Sequence, residues 1–395
     1  MFTDRIGRIQ PSATLAMTAK AAELKAKGLD VINLSVGEPD FPTPENIRNA
    51  GIKAIQNGYT RYTHGSGMLP LREAVCMKLN RDNQLVFTPD EILISCGGKH
   101  SLFNASMALF QTGDEVIVFT PYWVSFPDFV SVTGAKPVFV STDSARQYEP
   151  VFEELKEKIT PRTKGMIINS PSNPTGGVWS DEAIRKTLAI ANKHDLWVLS
   201  DECYEQLTYE VPFKSIATFS PSDTRILTFQ SCSKTYAMTG WRIGYTAGDA
   251  RVIKAMGKLQ GQSTSCPNSI AQFAAIEALT GDQSAVGEMR QKFRTRRDLM
   301  VDRLNAMDGV RCEIPYGAFY VFPDIRSYFG KTTGGKKIMT PNDLSLYLLD
   351  KTTVVSVPGE SFGSQKNIRY SYAASEGDLM KAMDRIEKAL QEIQS

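Results

Sequence analysis

Histidine is scarce in this chain of 395 residues, which holds only His64, His100 and His194. A catalytic triad of the Ser-His-Asp kind and a histidine-rich metal site both depend on that residue type. We therefore expect neither of them, and we expect no metal. If the protein transfers protons, another side chain must carry them.

The six cysteines are scattered along the chain, and no two of them stand in a C-x-x-C spacing. This pattern fits neither a disulfide framework nor a zinc site, so it indicates reduced thiols. The charge is also nearly balanced, with 45 basic against 43 acidic residues. Such a balance creates no general field that would attract nucleic acid or an anionic membrane, so any anion must be held locally.

Long apolar runs are missing as well. No run approaches the roughly 20 residues that span a bilayer, and the first ten residues lack the apolar core of a signal peptide. The basic stretch 5–27 could be a transit peptide, but Asp4 and Glu23 suit a capped helix better. We expect a cytoplasmic enzyme without a membrane or nucleic-acid partner.

The middle of the chain alternates short apolar runs with helical patterns. The runs are almost continuous in Val, Ile, Leu and Phe, as in strands that helices cover on both faces. They lie at residues 91–95, 115–120, 164–169, 196–200, 225–230 and 243–247. The pattern predicts an α/β core with a mostly parallel central sheet, whose functional groups should lie at the carboxyl ends of the strands.

The pattern changes after about residue 284. A long charged helix is expected at 285–307, followed by short strands at 318–322, 353–357 and 367–372 and by a C-terminal amphipathic helix. These elements predict a smaller α+β domain. Residues 31–36 are extended and could pack onto it, so we expect a large domain at 45–284 and a small one from 1–44 and 285–395. The stretch 330–337 resembles a surface loop.

Gly97 and Gly98 stand between a predicted strand and a predicted helix, where free backbone amides around Gly98 and Lys99 would suit a phosphate. A tight connection is the ordinary alternative. A P-loop is excluded because positions 93 and 100 are leucine and histidine. A dinucleotide-binding fingerprint is excluded because the glycine-containing stretch 65–70 ends in proline. Nucleotide binding is therefore not expected.

Two polar clusters close two neighbouring apolar runs. Lys234 lies among small hydroxyl residues, eight positions before Arg242, and Asp201 ends the preceding run. A lysine in such surroundings can hold an aldehyde as a Schiff base beside an anion. An aspartate on the next strand end can hold a protonated ring nitrogen.

Together with the segment 169–177 (NSPSNPTGG), these clusters resemble the class I and II aminotransferases. Those enzymes use pyridoxal 5'-phosphate and have the aspartate aminotransferase fold, also called fold type I. The resemblance extends from the segment 33–40 (NLSVGEPD) to the segment 368–372 (IRYSY). It implies that Lys234 forms the Schiff base in a ping-pong reaction and then shuttles a proton, with Asp201 and Tyr204 as further catalytic groups.

The resemblance also implies a set of cofactor contacts. Asp201 would hold the ring nitrogen, although an aspartate after a strand is often a helix N-cap. Tyr204 and Asn173 would donate to the phenolic oxygen, and Trp123 would stack on the ring, unless Asn173 merely forms a turn and Trp123 merely fills the core. The phosphate would be bound by Gly98, Lys99, Ser231, Ser233 and Arg242. Tyr62 would reach the phosphate of a neighbouring subunit, which implies a homodimer.

The substrate contacts are implied in the same way. Arg369 would bind the α-carboxylate beside Gly37, Trp123 and Asn173, whereas a structural ion pair is its alternative role. Lys99 and Thr14 resemble the residues of the aspartate aminotransferase subgroup Ib that recognise a distal carboxylate. The implied reaction converts L-aspartate and 2-oxoglutarate into oxaloacetate and L-glutamate.

Several alternatives stay open at this stage. Some members of the subgroup accept prephenate, and an aromatic or alanine aminotransferase is a further alternative. A pyridoxal-phosphate lyase or synthase would keep Lys234, Asp201 and Arg369. A regulator with a fused DNA-binding module is disfavoured, because little chain precedes the first motif near residue 33.

Overall fold

The computed structural model of the chain describes residues 2–9, 13–220, 225–333 and 335–393, without the side chains of residues 13–16 and 18. Its strands, in chain order, are β1 (Ile32–Asn33), β2 (Ile92–Ser95), β3 (Glu115–Thr120), β4 (Lys136–Asp143), β5 (Glu149–Pro150), β6 (Thr163–Asn169), β7 (Trp197–Asp201), β8 (Ile226–Ser231), β9 (Gly244–Ala247), β10 (Tyr320–Val321), β11 (Thr332–Thr333), β12 (Lys336–Lys337), β13 (Val354–Val355), β14 (Val357–Pro358) and β15 (Ile368–Ser371).

The α-helices of the described residues surround these strands. They are Asp4–Gly7, Ala13–Ala26, Glu45–Gln56, Leu69–Asn83, Gly98–Leu109, Phe126–Ser131, Phe152–Lys158, Asp181–Lys193, Cys232–Thr235, Ala250–Ser263, Ser269–Thr280, Ser284–Asn305, Pro341–Thr352 and Glu376–Gln391. Side-chain caps fix several of their starts. The Ser180 hydroxyl, for example, accepts from the Ala183 amide at 3.2 Å and so satisfies one donor that the first helical turn leaves free.

Eight strands form the central sheet, in the order β2-β9-β8-β7-β6-β3-β4-β5. Strands β4, β3, β6, β7 and β8 pair in parallel, and β9 runs antiparallel between β8 and β2. All six predicted strands are present, so the expected α/β core is confirmed. The sequence missed β4 and β5. Strand β4 lies near the edge and keeps only one residue fully buried, so its polar side chains hide the strand pattern.

The C-terminal part of the chain contains a second, antiparallel sheet of β10, β15 and β14. Strand β1 pairs in parallel with β13, with Ile32 opposite Val354, so the N-terminal segment packs where the sequence predicted. The single strand expected at 353–357 was wrong, because β13 and β14 pair with different partners. The described residues of the stretch 330–337 lie at the surface as expected, but they are not only a loop, because β11 and β12 pair there.

Buried apolar residues form separate clusters. One cluster covers a face of the central sheet and includes Ile117, Met166 and Val198, and a smaller one covers the opposite face. Another joins the helix Ser284–Asn305 to the antiparallel sheet and includes Phe293. Tyr204, at the carboxyl end of β7, belongs to this last cluster, so the end of the central sheet contacts the C-terminal part of the chain.

None of the helices in the described residues is long and apolar enough to cross a membrane. All six cysteines are free thiols.

Candidate active site

The carboxyl ends of β6, β7 and β8 meet the antiparallel sheet at one cavity of about 300 Å³. The strand register fixes the neighbours, because Asn169 pairs with Asp201, and Asp201 pairs with Phe229. Most of the residues predicted from the sequence lie in the wall of this cavity. They are Gly37, Gly98, Lys99, Trp123, Asn173, Asp201, Tyr204, Ser231, Ser233, Lys234, Arg242 and Arg369.

The charge of the cavity wall is strongly asymmetric. Among the described residues that line it, Lys99, Lys234, Arg242 and Arg369 are cationic, and Asp201 is the carboxylate. In a chain whose overall charge is nearly balanced, this concentration of positive charge is local. The cavity is therefore suited to a ligand with several anionic groups and one cationic group.

A glycine turn and an arginine form one end of the cavity. Gly97 has a φ of 89°, and any Cβ at this position would collide with the guanidinium of Arg242. The helix Gly98–Leu109 begins directly after this turn, so its first amides lack partners within the helix. Free amides, a helix N-terminus and a guanidinium together form an anion site.

Two serines and the backbone of Arg242 complete this end. The Ser231 hydroxyl donates to Ser233 Oγ at 2.9 Å and accepts from the Ser233 amide at 3.2 Å. Arg242 has a φ of 59°, a left-handed conformation that is costly for a residue with a long side chain. Its guanidinium donates to the carbonyl oxygens of Thr239 (2.7 Å) and Cys96 (3.4 Å), which hold it toward Gly97.

Lys234 lies in the one-turn helix Cys232–Thr235 at the end of β8. Its Nζ donates to the carbonyl oxygen of Gly37, and no carboxylate pairs with it among the described residues. Burial lowers the pKa of Lys234 from its usual value; the charges of Cys203 and Glu38 oppose this shift, and the positive charges of Arg242 and Arg369 add to it. A lysine with a lowered pKa can act as a nucleophile or a base near neutral pH.

Asp201 ends β7 and is buried. Burial raises the pKa of this carboxyl group to about 6, against the opposing effects of the Cys203 amide and Lys234. Its Oδ1 accepts from the Cys203 amide at 3.2 Å, and no helix begins there, so the alternative role as a helix N-cap was wrong. A buried carboxyl group whose neighbour Cys203 is neutral can also hold a cationic partner that enters the cavity.

Arg369 lies on β15 and is only 2% exposed. Its two terminal nitrogens donate to neutral acceptors, namely Asn173 Oδ1 (2.8 Å) and the Ser35 carbonyl oxygen (2.6 Å). Its Nε has no partner among the described residues, and no carboxylate there forms an ion pair with it. The alternative role in a structural ion pair was therefore wrong, and a carboxylate ligand would supply the missing counter-charge.

Trp123 and Lys99 form another part of the wall. The edge-to-face contacts of Trp123 with Phe126 and Phe129 (centroids 5.5 and 5.8 Å apart) place it partly in the core, yet the indole also lines the cavity. The Nζ of Lys99 lies 4.9 Å from the centroid of the indole ring. Desolvation, followed by the charge of Arg242, lowers the pKa of Lys99, although the residue as a whole is exposed, so this lysine lines the cavity and also contacts solvent.

Two predicted residues are not brought together with the others. Tyr62 is 89% exposed and lies outside the cavity wall of its own chain. Thr14 lies in the helix Ala13–Ala26, but its side chain is outside the described residues. Within the described part of the chain, no group of three or more His, Cys, Asp or Glu side chains could hold a metal ion.

The sequence missed other residues of the wall, notably Asn169, Cys203, Thr239 and Tyr320. Asn169 holds its neighbours together, because its side chain accepts from the Asn173 amide (2.8 Å) and donates to the Asp201 carbonyl oxygen (3.0 Å). Its position in the segment 169–177 was a usable signal. Tyr320 lies within an apolar stretch that indicates only a buried strand, so nothing in the local sequence predicts its position at the site.

The comparisons with known proteins agree with this geometry. The family model "Aminotransferase class I and II" matches residues 29–386. The chain is 46% identical over 391 residues to a probable aspartate/prephenate aminotransferase of Rhizobium leguminosarum, covering 98% of both chains. It is 45% identical over 390 residues to the aspartate/prephenate aminotransferase of Cereibacter sphaeroides, again covering 98% of both.

Solved structures show the same relationship. The aspartate aminotransferase of Rhizobium meliloti superposes with a TM-score of 0.96 at 43% identity, and the match covers 100% of both chains. The aspartate aminotransferase of Thermus thermophilus with maleate gives a TM-score of 0.93 at 40% identity, covering 98% of this chain and 99% of that one. The aspartate aminotransferase-like fold expected from the sequence is confirmed.

Proposed function

The chain belongs to the class I and II aminotransferases, and we propose that within this family it transfers the amino group of L-aspartate to 2-oxoglutarate with pyridoxal 5'-phosphate as cofactor. The products are oxaloacetate and L-glutamate. The observation that carries this proposal is Arg369, a buried guanidinium without an ion-pair partner in the described residues, in one cavity with Lys99. Two separate cations suit a substrate with two carboxylates.

The residues present fit pyridoxal 5'-phosphate. The Gly97 turn would clash with the guanidinium of Arg242 if it carried a side chain, and this cradle matches a phosphate in size and charge. Asp201 is a buried carboxyl group suited to a cationic ring nitrogen. When bound, the cofactor supplies an aldehyde that condenses with amines and a ring that takes up the electrons of the broken Cα–H bond.

Each residue of the binding set then has a defined contact. Ser231, Ser233, Arg242 and the amides of Gly98 and Lys99 would bind the phosphate, and Trp123 would stack on the ring. On the substrate side, Arg369 binds the α-carboxylate beside Gly37 and Asn173, and Lys99 with Thr14 binds the distal carboxylate. The orphan Nε of Arg369 gives that guanidinium a free donor for this purpose.

The catalytic groups act on protons. Lys234 Nζ, whose pKa is lowered by burial, would take a proton from the substrate α-carbon as a base and give it up again as an acid. Asp201, as a carboxylate, would hold a protonated ring nitrogen, and Tyr204 and Asn173 would donate to the phenolic oxygen. Tyr204 is buried, so its hydroxyl is shielded from bulk solvent.

A donor panel with 2-oxoglutarate as acceptor tests the substrate assignment. We expect aspartate to be the preferred donor and Lys99→Ala to reduce kcat/KM for aspartate far more than for alanine. Lys254→Ala, a change at an exposed lysine, should leave both unchanged. If tyrosine or alanine outpaces aspartate and Lys99→Ala leaves the aspartate kinetics intact, the assignment is wrong. Continued turnover without any acceptor, beyond the one equivalent of keto acid that a ping-pong half-reaction releases, would indicate a lyase instead.

Prephenate is a second candidate acceptor, because the relatives from Rhizobium leguminosarum and Cereibacter sphaeroides are described as aspartate/prephenate aminotransferases. Prephenate also carries a second carboxylate, which Lys99 could bind in the same way. Amino transfer from aspartate to prephenate, measured beside 2-oxoglutarate, would establish it. If the protein transfers the amino group of aspartate to 2-oxoglutarate but not to prephenate, prephenate is not an acceptor.

A homodimer is part of the proposal. Large apolar side chains are exposed on the helix Glu45–Gln56 and in the segment after it, namely Ile52, Ile55, Tyr59, Tyr62 and Leu69. Such a patch is typical of a subunit interface. Tyr62, exposed in its own chain, would then bind the phosphate in the other subunit, and the molar mass in solution together with cofactor loss in Tyr62→Phe tests this.

We also propose the two domains expected from the sequence, a large one at 45–284 and a small one from 1–44 and 285–395. The separate apolar clusters and the pairing of β1 with β13 support this division. The cytoplasmic location stays a prediction.

A further inference from the structure

Tyr320 is a fully buried residue of the cavity wall to which no role has been assigned so far. It lies on β10, opposite Ser371 of β15. Arg369 stands two residues before Ser371, so Tyr320 and Arg369 share one face of the sheet as diagonal neighbours. The backbone register therefore brings an aromatic side chain next to the buried guanidinium.

The ring of Tyr320 contacts that guanidinium directly. The Cζ of Arg369 lies 4.5 Å from the centroid of the Tyr320 ring and 4.9 Å from that of Phe362. The two rings are the aromatic neighbours of a cation that no carboxylate of the described residues neutralises. A desolvated cation near a ring face is stabilised by the quadrupole of the ring, so Tyr320 helps to hold Arg369 charged and in place.

The hydroxyl of Tyr320 contacts a different part of the site. Its oxygen lies 2.8 Å from the hydroxyl oxygen of Tyr204, and a Cβ at Gly37 would lie 2.9 Å from it. Burial raises the pKa of Tyr320 to about 12 and that of Tyr204 well above its usual value. Both hydroxyls therefore keep their protons near neutral pH, and one of them donates to the other.

The direction of this hydrogen bond follows from what Tyr204 must do. A phenol carries a single proton, so a Tyr204 that donates into the cavity can only accept from Tyr320. The described residues offer the Tyr320 hydroxyl no other acceptor. The two hydroxyls then form a chain from Tyr320 to Tyr204 to the ligand oxygen, and each bond of such a chain strengthens the next.

We propose that Tyr320 is a positioning residue of the amino-transfer reaction, whose hydroxyl orients and polarises the hydroxyl of Tyr204 while its ring supports Arg369. One side chain thus couples the cofactor end of the cavity to the substrate end. The inference rests on the proposed function, because it requires Tyr204 to donate to the cofactor and Arg369 to bind a carboxylate.

Two substitutions separate the two contacts. Tyr320→Phe keeps the ring and removes the hydroxyl, and Tyr320→Leu removes both. Tyr372→Phe is the matched control, because Tyr372 is equally buried and its hydroxyl donates to the Ala318 carbonyl oxygen at 3.1 Å, outside the described cavity wall. The readouts are the affinity of the cofactor-free protein for pyridoxal phosphate, the pH titration of the absorbance of the loaded protein, and the affinity for maleate, a dicarboxylate that cannot react.

For Tyr320→Phe we expect cofactor affinity to fall about fivefold, the worth of one hydrogen bond, and maleate affinity to stay unchanged. The absorbance titration should shift to higher pH, because a weakened donor stabilises the negative phenolic oxygen less. For Tyr320→Leu we expect maleate affinity to fall in addition, by about tenfold. Tyr372→Phe should match the unmodified protein in all three measurements.

A double-mutant cycle with Tyr204→Phe decides whether the hydroxyl acts through Tyr204. If it does, adding Tyr320→Phe to Tyr204→Phe changes the titration no further. Equal behaviour of Tyr320→Phe and Tyr372→Phe, or additive effects in the cycle, would overturn the inference. If the unmodified protein binds no pyridoxal phosphate, the proposed function itself fails, and that outcome is distinct from the other two.

Discussion

Two groups of buried charges lie on either side of the end of β7, and they differ in how completely they are paired. In the cavity, Arg369 has an orphan Nε and no carboxylate partner among the described residues, and the hydrogen bonds that Asp201 accepts there come from Cys203. On the other side lies a network that we call the buried charge network, formed by Lys78, Asn83, Glu202, Glu205 and Gln230. Each of its polar side-chain atoms has a partner.

The details of the network show how complete the pairing is. The ammonium of Lys78, which is 1% exposed, donates to Glu205, to Asn83 (2.9 Å) and to Gln230 (2.7 Å), so all three of its protons are used. The carboxyl group of Glu202 accepts from Ser200, Ser215, the Ile216 amide and Gln230. Such pairing offsets the cost of burying charge.

Asp201 and Glu202 are consecutive residues, and the alternation of side chains along a strand sends them to opposite faces. The paired side chains on one face connect the ends of β7 and β8 to the helix Leu69–Asn83 by hydrogen bonds. The charged groups on the other face line the cavity, where a ligand can bind them. Of these buried groups, the ones that line the cavity are those without a charged partner in the described residues. Four substitutions test this difference.

The largest effect is expected for Lys234→Ala. Because Lys234 carries the proton transfer, we expect its loss to lower kcat by about 10⁴-fold or more, while the free energy of unfolding of the cofactor-free protein changes little. Steady-state kinetics and denaturant unfolding would measure the two quantities. Lys254→Ala, on an exposed helix surface, is the control, and an active Lys234→Ala protein would remove the basis of the proposed chemistry.

On the paired side, Lys78→Met should mainly reduce stability. Without the ammonium, Glu205 is left as a buried charge, which costs about 3–5 kcal/mol of unfolding free energy. Adding Glu205→Gln should recover part of that loss, because the amide stays hydrogen-bonded without a charge. Urea unfolding of the single and double variants is the measurement, and a Lys78→Met protein of normal stability would contradict the contrast between the two groups.

In the cavity, Arg369→Lys should reduce activity rather than stability. Lysine cannot form a bidentate contact with a carboxylate. We therefore expect kcat/KM for aspartate to fall roughly thirtyfold, which corresponds to about 2 kcal/mol, while the free energy of unfolding is preserved. Arg297→Lys is the matched control. Arg297 is 3% exposed but forms ion pairs with Glu210 (2.7 Å) and Asp298 (2.6 Å), so its replacement should cost stability and leave KM intact.

The smallest effect concerns pH. Burial, followed by the charge of Glu205, raises the pKa of Glu202 to about 7 from its usual value near 4.5. The folded protein then holds this proton at pH values where the unfolded chain has released it. The stabilising contribution is complete below pH 4.5 and is lost as the pH rises to about 7.

Glu202→Gln should therefore flatten the fall of unfolding free energy between pH 5 and 7, by at most about 1.4 kcal/mol per pH unit for one proton. Lys78 and Glu205 belong to the same network, Tyr245 donates to its Gln230 at 2.9 Å, and all three are unchanged in this variant. Parallel slopes for the two proteins would show that Glu202 is ionised throughout, held so by its four hydrogen-bond donors.

The central strands were predictable because buried parallel strands are almost continuous in Val, Ile and Leu. Strand β4 was missed because its polar residues face outward. The prediction of a single strand at 353–357 was wrong for another reason. Val354–Val355 and Val357–Pro358 pair with different strands, and only this pairing shows that the stretch divides in two. Pairing of distant segments leaves no local signal.

The same distinction holds for the site. Lys234, Asp201 and Arg369 stand in recognisable motifs, so the sequence by itself determined the family, the core strands and most of the side chains that meet in the cavity. Three features became visible only in the tertiary structure. Arg369 has no ion-pair partner in the described residues, and Tyr320 contacts both Arg369 and Tyr204. Glu202 and Lys78 belong to one hydrogen-bonded network. Motifs and hydrophobic periodicity are local along the chain, whereas the pairing of a buried charge depends on groups up to hundreds of residues away that only folding brings into contact.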